Sequence, residues 1–146
     1  MTIALGSNQG DSPTLLATAR ELIAAEIGPL LHASSILTTK AWGVTDQPDF
    51  LNQVVVAEVP DAFPITREYL HGFLDRTQSI EQRLGRLRKT HWGPRTVDLD
   101  LIFLDDVRWE DERLSLPHPW WSEREFVGGV LREELPAVLL RAGISI

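Results

Sequence analysis

Two aspartates one residue apart, Asp98 and Asp100, interrupt the apolar run VDLDLIFL at residues 97 to 104. In an extended chain, residues two apart point to the same face. The spacing therefore predicts that both carboxylates project together while Val97, Leu99, Leu101 and Phe103 take the other face. Their Cβ atoms would lie about 6 to 7 Å apart, within reach of one divalent ion or of a pair of ions. At an effective dielectric of about 20 the two charges repel by about 2 kcal/mol, which an empty site has to tolerate. A cation is the natural complement. Oxygen ligands alone suit Mg2+, which takes one or two carboxylates together with substrate phosphates. The plain alternative is a strand end with two solvated aspartates.

The neighbouring residues favour the first reading. From Arg83 to Arg95 the segment RLGRLRKTHWGPR holds five Lys or Arg and no acid, whereas the whole chain has 14 basic and 21 acidic residues and a net charge of −7. Arg95 stands three residues before Asp98 behind the stiff Gly93-Pro94, and Arg86, Arg88 and Lys89 come from the same segment. Carboxylate, Mg2+ and arginine together are what transfer of a phosphoryl-type group requires, because its catalysis is mostly positioning and neutralisation of charge. A local basic loop in an acidic protein suits a small anionic ligand better than a long polyanion, so nucleic acid is not an expected partner.

Composition bounds the rest. The 146 residues fit one domain, 1–146, with an ordinary core. The chain has no cysteine, which removes disulfides, thiolate metal sites and a cysteine nucleophile and leaves oxygen and imidazole as ligands. MTIALGSN lacks a basic leader, and no apolar segment approaches the roughly 18 residues of a membrane span. The expectation is a cytoplasmic monomer that acts on small molecules away from the membrane.

The elements that would position these groups can be read from periodicity. Thr2 to Leu5 reads as a strand entering the turn-rich GSNQGD. Ser12 and Pro13 read as the N-cap and first position of a helix with the stripe Leu15, Leu16, Ala19, Leu22, Ile23 and Ile27, ending at Gly28-Pro29. Leu31 to Thr39 and Leu51 to Val59 read as strands. Leu70, Phe73, Leu74, Thr77, Ile80 and Leu84 predict a second helix closed by Gly85 as its C′ residue. The strand Thr96 to Leu104 follows, then a turn at Asp105-Asp106 and a short strand near Val107 to Trp109. Ser122 and Glu125 form a capping box for a last helix, weakened by Gly128-Gly129. This order predicts an α+β fold: a ferredoxin-like βαββαβ antiparallel sheet with helices on one face, plus a C-terminal strand and helix. Such a fold by itself assigns no activity.

Four stretches carry a resemblance: LGSNQGD at 5 to 11, DQPDFLNQVV at 46 to 55, QSIEQRLGRLRKTHWGPRTVDLDLIFL at 78 to 104 and LPHPWWSEREFV at 116 to 127. In order and spacing they resemble the marker regions of the 6-hydroxymethyl-7,8-dihydropterin pyrophosphokinases of folate biosynthesis, with WGPRTVDLDL the most specific. The resemblance implies transfer of the β,γ-diphosphate of ATP to the hydroxymethyl group of the dihydropterin, giving AMP and dihydropterin pyrophosphate. It further implies that Asp98 and Asp100 bind two Mg2+ ions bridging the ATP phosphates, and that Arg86 and Arg95 act on the transferring group from a mobile loop. Gln78, Glu81, Arg88, Trp92, Arg113, Ser115, His118 and Arg124 fall where the family contacts ATP. Thr39, Trp42, Phe50, Asn52 and Phe126 fall where it holds the pterin. The chemistry is coherent, because a flat ring edged with alternating donors and acceptors suits two aromatic faces and an amide. Lys40, Ala41, His91, Trp120-Trp121 and Gly128-Gly129 depart from the family's usual residues.

Two other readings share part of this pattern. Nucleotidyltransferases also pair a Gly-Ser turn with an Asp-x-Asp strand, but there one short helix separates them, whereas here Gly6-Ser7 lies about ninety residues from Asp98. A nonenzymatic RNA-binding module of the same fold would need exposed aromatics on central strands and a basic sheet face, and VVVAEV with a net charge of −7 offers neither.

Overall fold

A computed structural model describes residues 1–8, 11–40, 49–86 and 97–145, with the side chain of Arg86 excepted. The elements in chain order are β1 (Thr2–Ser7), α1 (Ser12–Glu26), β2 (Leu30–Ala33), β3 (Leu37–Thr39), β4 (Phe50–Ala57), α2 (Arg67–Arg86), β5 (Asp98–Phe103), β6 (Trp109–Glu110) and β7 (Ser115–Leu116). A π-helical turn, Glu125–Gly129, then leads into α3 (Val130–Glu134) and α4 (Pro136–Arg141). The main sheet runs β2-β4-β1-β5 with β3 also on β4, and its pairings are antiparallel. This is the expected α+β arrangement, with β2 and β3 acting as two halves of one edge strand.

Alternation along the central strands sorts side chains between two cores. On one face Ile3, Leu5, Val55, Leu99 and Leu101 pack against Leu16, Ala19 and Ile23 of α1 and Leu70, Phe73, Ile80 and Leu84 of α2. On the other, Ala4, Val54, Ile102 and Phe103 meet Val127, Val130, Leu131 and Leu139. The expected C-terminal addition is thus what covers the second face. Each fully buried Leu, Ile or Phe contributes roughly 1.5 to 3 kcal/mol, so this short segment is held by its packing more than by helix propensity.

Several local expectations are corrected. The N-cap of α1 is Asp11, whose carboxylate accepts from the Thr14 N–H (3.3 Å) and hydroxyl (2.8 Å), while Ser12 turns inward to take a 3.0 Å bond from the Ser7 hydroxyl. A carboxylate is the better partner for the positive end of the helix. The strand expected from Leu31 to Thr39 breaks at Ser34, whose N–H donates to Val54 O and whose hydroxyl accepts from Val54 N–H (2.8 and 2.9 Å), replacing regular ladder bonds. Helix α2 runs through Gly85 to Arg86, because Gly85 is not in the left-handed conformation that a C′ glycine supplies. Phe103 leaves the face of Leu99 and Leu101, since the register with β1 jumps from Ile3↔Leu101 to Thr2↔Phe103 and the bulge turns the strand end over. There Phe103 meets the edge of Trp121, with ring centroids 5.0 Å apart.

The Ser122–Glu125 capping box does not form. Arg124 is the N-cap, in extended conformation and without a side-chain cap, and residues 120–124 fold as a turn closed by Glu123 N–H and Arg124 N–H on Trp120 O (3.2 and 3.3 Å). Gly128 explains why. A Cβ there would stand 2.7 Å from Trp121 O and 3.2 Å from Ser122 Cα, so glycine lets the π-helical turn lie directly on the preceding turn.

Candidate active site

The register of the sheet builds the site. Gly6 of β1 stands opposite Asn52 of β4 on one side and Asp98 of β5 on the other, and the next pair of rows brings Ala4 beside Asp100. Asn52, Gly6, Asp98 and Asp100 therefore share the face that the C-terminal segment only partly covers. Past the end of that cover lies a cleft of about 710 Å³, lined by Thr39, Lys40, Phe50, Asn52, Gly6, Asp98, Asp100, Arg124 and Phe126 among others. A Cβ on Gly6 would sit 3.3 Å from Asn52 Oδ1, so the glycine of LGSN keeps the floor of this cleft open.

Asn52 is oriented by the edge strand. Its amide nitrogen donates to Thr39 Oγ1 (2.9 Å) and to Leu37 O (3.4 Å), which leaves Oδ1 over Gly6 as an acceptor. Phe50 and Phe126 are both half-buried at the cleft wall. The guanidinium of Arg124 lies 5.9 Å from the Phe126 ring centre and 3.6 Å from Asp100 Oδ2. Both members of that ion pair are about two-fifths exposed, at 40% and 44%, so it contributes little to stability.

A second, more polar cleft of about 300 Å³ opens on the other side of Asp100, lined by Leu74, Asp100, Asp111, Arg113, Ser115 and His118 among others. The hairpin β6/β7 forms its outer wall. Asp111 locks that hairpin: one carboxylate oxygen accepts from the N–H groups of Arg113 and Leu114 (2.8 and 2.9 Å), the other from Trp109 Nε1 and His71 Nε2 (both 2.7 Å). The Trp109 bond above all, opposed by burial and aided by Arg113, His71 and Leu114, holds this carboxyl far below the usual aspartate range. His118 is tied to β5 through its N–H on Ile102 O (2.9 Å), and its Nδ1 accepts from the Trp120 N–H (3.1 Å). Burial lowers its pKa below 6.5, against the pull of Asp100 and with a small push from Arg124. Because Nδ1 accepts, the proton of the neutral ring lies on Nε2.

Of the residues expected in the site, Thr39, Phe50, Asn52, Phe126, Asp98 and Asp100 meet at the larger cleft, and Arg113, Ser115, His118 and again Asp100 at the smaller. Arg124, expected with the nucleotide group, lies on the larger cleft with Phe126. Glu81 accepts from Leu99 N–H (2.9 Å) and so anchors β5 between the two aspartates, and Gln78 is exposed one turn earlier on α2. Trp42, Arg88, Trp92, Arg95 and the side chain of Arg86 lie outside the described residues, as does most of the loop expected to be mobile. Sequence reasoning misses Asp111, which lines the smaller cleft, and His71, which bonds to it from α2, and it marks Lys40 only as a departure. Nothing in their local sequence signals the contact, which depends on how the hairpin folds onto α2.

The family profile described as 7,8-dihydro-6-hydroxymethylpterin-pyrophosphokinase matches residues 2–136. The chain belongs to this family. It is 40% identical over 139 residues to the 2-amino-4-hydroxy-6-hydroxymethyldihydropteridine pyrophosphokinase of Methylorubrum extorquens, covering 94% of this chain and 84% of that protein. The Bacillus subtilis protein of the same name is 40% identical over 133 residues, 90% and 75% of the two chains. That of Mycobacterium tuberculosis is 36% identical over 136 residues, 87% and 68%. Membership in this pyrophosphokinase family sets aside the nucleotidyltransferase and RNA-binding readings. Among the described residues no helix is long and apolar enough to cross a membrane, and no group of three or more His, Asp or Glu could hold a metal ion. Asp98 and Asp100 are a pair, which fits an ion completed by substrate oxygens.

Proposed function

We propose that this protein transfers the β,γ-diphosphate of ATP to the hydroxymethyl oxygen of 6-hydroxymethyl-7,8-dihydropterin, with release of AMP, as one domain over residues 1–146 and as a cytoplasmic monomer. The observation that supports it best is the position of Asp100 between two unlike clefts, one aromatic and amide-lined, the other polar, with Arg113 and His118 in its lining. A pterin in the first and a nucleotide in the second would bring their reacting ends together beside Asp98 and Asp100.

Phe50 and Phe126 would supply faces for the flat ring, and Asn52, oriented by Thr39, would meet its polar edge. Arg113, Ser115 and neutral His118 would receive the nucleotide, with Gln78 and Glu81 of α2 and, from the basic segment, Arg88 and Trp92 completing that side. Asp98 and Asp100 would hold two Mg2+ ions, which supply neutralisation of the phosphate oxygens and acidify the attacking hydroxyl. Arg124, paired with Asp100 here, would meet the phosphates from the wall of the larger cleft. Arg86 and Arg95 would meet charge that develops only in the transition state.

The test is direct. With Mg2+, ATP and hydroxymethyldihydropterin, AMP and pterin pyrophosphate should form in equal amounts. ADP, or AMP with free pyrophosphate and unchanged pterin, would refute the reading.

A further inference from the structure

The hairpin β6/β7 is fastened to α2 by a chain of bonds with a fixed direction. His71 and Asp111 are nearly buried, their side chains 12% and 9% exposed. The Asp111 carboxylate can only accept, so His71 must present Nε2–H to it at 2.7 Å. In the neutral ring Nδ1 is then an acceptor, and Arg113 Nη1 lies 3.5 Å from it. The other terminal nitrogen of Arg113 donates to Asp75 Oδ1 at 2.9 Å. His71 and Asp75 are one helical turn apart on α2, so they grip the guanidinium from the same face.

We infer that His71, its tautomer set by Asp111, is a positioning residue that fixes the Arg113 guanidinium at the wall of the polar cleft for nucleotide binding. The inference rests on the reading of that cleft as the nucleotide site. Arginine free in solution samples many rotamers, and ordering it only when the ligand arrives would weaken binding. Here the ordering is done in advance by two acceptors on a rigid helix.

His71→Gln separates this role from a structural one. A glutamine amide reaches the Nε2 position and keeps the bond to Asp111, so the hairpin stays fastened, but it has no acceptor where Nδ1 was. The measurement is calorimetric binding of α,β-methylene ATP with Mg2+, with 6-hydroxymethylpterin binding and the unfolding midpoint as controls. H71Q should weaken the nucleotide analogue about fivefold, the size of one lost net hydrogen bond, while pterin affinity and midpoint stay put. Asp75→Asn, which keeps an acceptor on the exposed side of the same grip, should cost about twofold or less. Arg113→Ala should weaken it about tenfold, and H71Q combined with R113A should be no worse than R113A alone. Independent, multiplying losses in the double variant, or an H71Q protein that binds the analogue normally while R113A does not, would overturn the inference. A normal R113A affinity would overturn it too and leave the nucleotide reading standing. Failure of the unaltered protein to bind the analogue would remove that reading first and the inference with it.

Discussion

The glycine of LGSN offers the sharpest test of the larger cleft. Gly6 sits between Asn52 and Asp98 in the sheet, and a Cβ added there would be 3.3 Å from Asn52 Oδ1. That is a few tenths of an ångström too close, and Asn52 is held from behind by Thr39 at 2.9 Å. In Gly6→Ala the amide must tilt, which compromises one hydrogen bond worth about 1 kcal/mol to a ligand and should weaken 6-hydroxymethylpterin about fivefold. In Gly6→Val the two added methyls project into the cleft itself, and the loss should reach about 100-fold, near 2.7 kcal/mol. Folding stability should move differently. Alanine in a strand gains roughly 0.4 to 1 kcal/mol by restricting the unfolded chain, which offsets most of the strain at Asn52. Pterin titration followed by fluorescence, with thermal unfolding and ATP-analogue binding measured in parallel, checks this. Gly6 does not line the polar cleft, so nucleotide affinity should change less than about twofold. Pterin binding that survives Gly6→Val would refute the assignment of this cleft, and a nucleotide loss as large as the pterin loss would refute the division between the two.

Asp98→Asn and Asp100→Asn should each lower turnover by orders of magnitude with the fold retained, and metal-free thermal stability should hold level or rise as like charges separate; near-normal activity in either would end the metal-pair proposal. Phe126→Ala should weaken pterin by roughly 1 to 3 kcal/mol by analogy with base stacking, with nucleotide affinity unchanged, and equal losses for both ligands would mark Phe126 as ordinary core. The pKa of His118 is lowered by burial, so the unfolded chain binds its proton more readily, and stability must fall as pH drops through and below 6.5. His118→Asn, which keeps an acceptor for the Trp120 N–H, should lose less stability than the unaltered protein between pH 7 and pH 5 in thermal unfolding. Parallel pH profiles would show that His118 is not the group responsible.

By itself the sequence determined a good deal. Alternation placed Asp98 and Asp100 on one face with Leu99 and Leu101 on the other, and helical spacing located α1 and α2, because these periodicities are local consequences of backbone geometry. Asn52, Phe50, Phe126, Arg113, Ser115 and His118 were named by the family resemblance, and the structure gathers them along the two clefts. What the sequence left undecided depends on contacts between segments far apart in the chain. Gly6 looked like part of a turn, and only the pairing of β1 between β4 and β5 made it the floor of a cleft. Gly128 looked like a weakness in a helix, yet the backbone of Trp121 lying against it makes a smaller residue necessary. The capping box at Ser122 and Glu125 lost to that same packing, since one side-chain bond is worth less than the burial of Val127, Val130 and Leu131. His71 and Asp111 are 40 residues apart, and no local pattern announces a bond that exists only because a two-stranded hairpin folds back onto α2.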